Sequence, residues 1–151
     1  MKLAEALQER ADLKKKIGGL DERLAFNACV QEGEQPAEEP AELLKELEEC
    51  LLREKKIIAA VNLTNSKTKI GEKTLTELLA EREVLIEKER IYRSFLAEAS
   101  KLAKRARLSE IKVFSTVNVR ELRGTADEIS AELRRLNNII QEANWTVETE
   151  F

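Results

Sequence analysis

The sequence contains no histidine at all. That absence removes Ser-His and Cys-His catalysis, His-ligated zinc and the Glu-x-x-His di-iron bundle. Cysteine is scarce, with only Cys29 and Cys50, too few for a disulfide framework or a four-thiolate zinc site. Cys29 ends one predicted helix and Cys50 sits about three turns into the next, too far apart to bond, so both are expected as small buried apolar residues. Aromatics make up 4% of the chain, with five Gly and two Pro. No run of 18 apolar residues occurs, which excludes a membrane-spanning helix, and the charged start Met1-Lys-Leu-Ala-Glu5 lacks the apolar core of a signal peptide. A cytoplasmic protein is expected. The net charge of −3 leaves no global field to recruit nucleic acid or an anionic membrane. Neither a Gly-x-x-x-x-Gly-Lys nor a Gly-x-Gly-x-x-Gly run is present, so the common nucleotide cradles are missing.

What the 151 residues do hold is charge and aliphatic periodicity. Asp, Glu, Lys and Arg together reach 36%, the composition of long helices and coiled coils. Positions 3, 6, 10, 13, 17, 20, 24 and 27 step by three and four and carry Leu, Ala, Arg, Leu, Ile, Leu, Leu and Asn, a heptad seam broken by Arg10. Gly18-Gly19 inside it should cost about 2 kcal/mol relative to Ala-Ala, which suggests a bend or a close contact. Asn27 suits a left-handed C-cap. A second helix starts at Pro40 and carries Leu43, Leu44, Leu47, Cys50, Leu51, Ile57, Ile58 and Val61, a stripe too wide for one neighbour. The polar run Asn62–Ser66 is expected to end it. Thr74-Leu-Thr-Glu77 is a capping box opening a third helix through Leu78, Leu85, Tyr92, Phe95, Leu96, Ala99 and Leu102 to about Arg105. The fourth, N-capped by Asn118 with Glu121 at the third position, has the cleanest seam: Leu122, Ala126, Ile129, Leu133, Leu136, Ile140 and Ala143.

The predicted architecture is therefore all-α or nearly so: one domain over 1–151, a coiled-coil-like bundle of four long antiparallel amphipathic helices at about 3–27, 40–63, 75–105 and 119–143. The β-branched segment 111–117 is predicted as a short strand, with residues 28–31 as its best internal partner.

Up-down order places residues 28–40 with 106–118 at one end and 62–73 with 144–151 at the other. At the first end, Glu32, Glu34, Glu38 and Glu39 lead an acidic run, and Arg105, Arg107 and Lys112 lie in a basic one. Two readings stay open. The charges complement helix dipoles, or the two patches meet and fix register within or between subunits. At the second end Asn144 and Trp145 follow the fourth helix, where a tryptophan normally closes a core.

The set Val30-Gln-Glu-Gly-Glu34 with Pro36, Thr74-Leu-Thr-Glu-Leu-Leu79, Ser109-Glu-Ile-Lys112 with Ser115-Thr-Val117, and Gln141-Glu-Ala-Asn-Trp-Thr146 resembles a family of small bacterial proteins of unknown function. Some members carry the label septicolysin, a pore-forming toxin. The resemblance covers nearly the whole chain and implies a coiled-coil-rich, oligomeric bacterial protein. It supplies no catalytic residues.

The leading functional expectation is a non-enzymatic, self-associating helical protein with no cofactor, no metal site and no nucleic-acid partner. The homo-oligomer is expected without stable membrane insertion, and the residues identify no small-molecule ligand. Two alternatives remain: a pore-forming, septicolysin-like protein, and a ligand-binding or hydrolytic bundle that uses its end loops.

Overall fold

The three- and four-residue steps of the first seam produce a helix, α1, over Leu3–Phe26. Helix α2 follows over Pro40–Lys67, with the proline in its first turn. The computed structural model describes residues 1–101 and 111–151. Among these, two further helices form, α3 over Leu75–Ala99 and α4 over Val119–Thr146. The chain is mostly all-α, with one small two-stranded sheet. Its strands, β1 (Lys69–Ile70) and β2 (Lys73–Thr74), flank a turn in which Gly71 takes φ 64°, a left-handed value that costs glycine nothing.

Two compact units are formed, residues 1–70 with 143–151 and residues 71–142. In the first, α1 and α2 pack antiparallel. Leu20, Leu43 and Cys50 are buried together, with Leu13, Ile17, Leu24 and Leu47 packed against them. Leu3 and Ala6 on α1 and Ile57, Ala60 and Val61 on α2 are buried as well. The chain's last residues lie along the start of α1: Leu3 N–H donates to the Val147 carbonyl at 2.9 Å, and Thr149 N–H to the Met1 carbonyl at 2.9 Å. Thr64, 1% exposed, fastens the same segment to α2. Its hydroxyl donates to the Ala60 carbonyl at 2.7 Å and accepts the Glu150 N–H at 2.9 Å.

The second unit rests on α3 and on α4 as far as Glu142. Leu75, Leu78 and Leu96 are buried on α3, and Ala126, Ile129, Leu133, Leu136 and Ile140 on α4, the seam read from the sequence. Arg93 of α3 reaches Asp127 and the Ser130 hydroxyl, each at 2.9 Å, and that hydroxyl also donates to Glu89. Residue numbers that fall on α3 as they rise on α4 make the pair antiparallel. Both expected caps are present. The Thr74 hydroxyl accepts Glu77 N–H at 3.2 Å, and Asn118 Oδ1 accepts Glu121 N–H at 3.1 Å.

Several expectations are corrected. Neither 28–31 nor 111–117 is a strand. In the first, Asn27 turns the chain into a loop that carries Gly33 at φ 81°. The second finds no ladder, and Ile111 and Phe114 stand 76% exposed. Asn27 takes φ −99°, not a left-handed cap, because its side chain closes the helix instead. Helix α2 does not stop at 62–66, since buried Thr64 bonds its own preceding turn. Helix α4 likewise runs on through Trp145. Helix α3 ends at Ala99, with Ser100 as C-cap, and residues 102–105 of the predicted helix lie outside the described residues. Among the described residues an added Cβ at Gly18 or Gly19 would meet nothing within 4 Å, so no close contact there explains the pair.

Candidate interaction surface

Three ion pairs run along the antiparallel α1–α2 pair: Glu9 with Arg53 at 2.6 Å, Lys16 with Glu46 at 2.8 Å, and Arg23 with Glu38. On α1 the partners are spaced by seven, the repeat that returns a side chain to the same flank every two turns. The charged bond to Arg53 lowers the Glu9 carboxyl below its ordinary range, and Arg23 and Lys16 do the same to Glu38 and Glu46. Arg53 is held twice: its guanidinium binds Glu9 through two nitrogens and lies 5.3 Å from the Phe151 ring centre.

Glu38 is therefore committed to α1, as its backbone also is. Asn27, 4% exposed, donates from its amide to the Arg23 carbonyl at 2.8 Å and accepts Glu38 N–H at 2.9 Å. Glu32, Glu34 and Glu39 are exposed in the loop before α2. Lys112 is exposed in the second unit, and Arg105 and Arg107 lie outside the described residues. Cys29, expected as a buried residue, is exposed in this loop, whereas Cys50 is buried in the core.

Asn144 is half-buried. Trp145 is 65% exposed and closes no core. It stands at the rim of an open groove whose floor is α1, lined by Ala4, Gln8, Asp12, Leu13 and Lys16. A groove this open does not enclose a small molecule, although most of its lining surface is apolar. Among the described residues, no three His, Cys, Asp or Glu side chains are grouped to hold a metal ion, and no helix is long and apolar enough to cross a membrane.

What does stand out is apolar surface that the two units leave uncovered. On α2, Leu44 is 50%, Leu51 39% and Leu52 56% exposed, with Ile58 half-buried. On α3, Val84, Ile91 and Phe95 are each about half exposed or more, on the side of the helix away from Leu78 and Leu96. Phe95 belongs to this outer stripe rather than to the core seam expected for it. The wide stripe of α2 was visible in the sequence. That of α3 was not separated from the core seam, although the spacing of Val84 and Ile91 by seven carries the signal.

The comparisons with known proteins agree on a family. A family model described as "Family of unknown function (DUF6847)" matches residues 10–149. A crystal structure of a functionally unknown conserved protein from Corynebacterium diphtheriae is similar at 38% identity and TM-score 0.91, covering 99% of each chain. No curated protein matches. Neither match carries the septicolysin label that the resemblance implied.

Proposed function

The chain belongs to this family of unknown function, and on that premise we propose that it is a non-enzymatic helical protein that works by self-association. The observation that carries the reading is the exposed apolar surface repeated at helix-face spacing on α2 and α3. Scattered single apolar residues on a surface mean little, but aligned ones mark interaction sites. The absence of histidine from the chain and the shallow grooves favour contact over catalysis.

Light scattering across micromolar concentrations tests this. A mass at a multiple of 17.2 kDa is expected, and a monomer throughout overturns the reading. Leakage of dye from anionic vesicles at the same concentrations would replace it with the membrane-active alternative.

A further inference from the structure

Helix α2 carries two apolar stripes one residue apart. Leu43, Cys50 and Ile57 are buried, with Leu43 and Cys50 in the core shared with α1. Leu44, Leu51 and Ile58 repeat the same seven-residue spacing on the neighbouring flank, and there Leu44 and Leu51 are exposed. Between them, at the alternate steps of the same stripe, stand Glu48 and Lys55. This is the pattern of a coiled-coil seam in which one apolar position in two has become a charge.

The charges are segregated along the helix. Residues 42–49 hold Glu42, Glu46, Glu48 and Glu49 against Lys45, a net of −3 (1 − 4). Residues 53–56 hold Arg53, Lys55 and Lys56 against Glu54, a net of +2 (3 − 1). Glu46 and Arg53 are used internally, on Lys16 and Glu9. Glu48, Glu49, Lys55 and Lys56 are exposed and make no ion pair among the described residues.

On the outer stripe itself the charges are Glu48 before the midpoint and Lys55 after it, and a surface so arranged is complementary to itself when turned through a two-fold axis. An isologous contact needs this property, since residue i must suit j and j must suit i. We propose, as a development of the self-association reading on which it rests, that two copies of this chain dock antiparallel through the outer stripe of α2 about an axis beside Leu51 and Leu52. Each Glu48 then faces the other copy's Lys55. A parallel arrangement would set Glu48 against Glu48 and Lys55 against Lys55, so the charges select the antiparallel one.

Two charge-reversed variants test the arrangement. Lys55→Glu makes the stripe acidic throughout, and Glu48→Lys makes it basic. Both side chains are exposed, so circular dichroism should be unchanged. At low ionic strength each variant alone should fall from about twice 17.2 kDa to the monomer mass, and an equimolar mixture should recover the dimer. As a second probe, Leu51→Cys in a Cys29→Ser background should form a disulfide-linked dimer on mild oxidation.

If the parent protein associates while the reversed variants keep its mass and Leu51→Cys does not cross-link, the α2 interface is wrong and self-association stands. If the parent is itself monomeric, both fall.

Discussion

The side-chain oxygen of Asn27 accepts the backbone N–H of Glu38 at 2.9 Å, so one residue at the end of α1 fixes where the chain re-enters α2. The same amide donates to the Arg23 carbonyl, satisfying one of the acceptors that a helix end leaves open. Asn27→Ala removes both bonds and leaves the Glu38 N–H in a partly buried place without an acceptor. That should cost about 1–3 kcal/mol. Chemical denaturation would read the loss, and hydrogen exchange should speed up at Glu38 and its neighbours. Unchanged stability and exchange would show the loop to be held by its other contacts.

Gly18 and Gly19 present the opposite case, a local cost with no structural return among the described residues. Both lie in the middle of α1, and a methyl group at either would meet nothing within 4 Å. Gly18→Ala and Gly19→Ala should each raise stability by about 1 kcal/mol, seen as a higher melting temperature. A variant that instead lowers the assembled mass would show that the bare backbone is a contact with another copy.

The helices were legible because aliphatic residues at three- and four-residue steps have no other economical reading, and Thr74–Glu77 and Asn118–Glu121 mark two of their starts. Helix ends were harder. Asn62 to Ser66 looks like a terminator by composition, yet Thr64 is buried and bonds the carbonyl four residues back, so α2 continues. The strand expected at 111–117 had β-branched residues but forms no ladder among the described residues. The hairpin at Gly71 has two-residue strands, too short for any alternation to appear in sequence. Of the candidate interaction residues, Glu38 could not be recognised as a partner of Arg23, because residues 15 apart are brought together only by the turn of the loop. The outer stripe of α2 was legible as excess width, but its division into a buried and an exposed row needed the packing of α1.

Thr64 also makes the docking of the C-terminal segment testable. No periodic side-chain pattern announces that segment, because backbone groups make several of its bonds, to Met1 and Leu3 and by Glu150 N–H to the Thr64 hydroxyl. Thr64→Val keeps the shape but removes the acceptor for Glu150, and should cost about 1–3 kcal/mol. Amides 147–151 should then exchange faster, while Thr64→Ser should behave like the parent. Slow exchange retained in Thr64→Val would assign the docking to the segment's other bonds, Leu3–Val147, Met1–Thr149 and the ion pairs of Glu148 and Glu150 among them.

The ion pairs of the first unit predict an acid-side loss of stability. Glu9, Glu38, Glu46 and Glu148 all sit below their ordinary value in the fold, chiefly through hydrogen bonds from Arg53, Arg23, Lys16 and Lys2. A carboxyl lowered by folding binds its proton more readily in the unfolded chain. Its contribution is therefore present above the ordinary carboxylate value of about 4.3 and is lost as pH falls through the lower folded values. Lys16 is shifted the other way, upward through Glu46, so its share is lost only on the far alkaline side. Because these groups lie at the surface, the effect should shrink as salt is added. The melting temperature should hold steady from pH 7 to about 5 and fall below that. A variant carrying Glu9→Gln, Glu38→Gln and Glu46→Gln should start lower at pH 7 and show a flatter acid limb. Parallel pH profiles for the two proteins would mean that other carboxyls drive the acid transition and that the heptad-spaced ion pairs contribute nothing measurable.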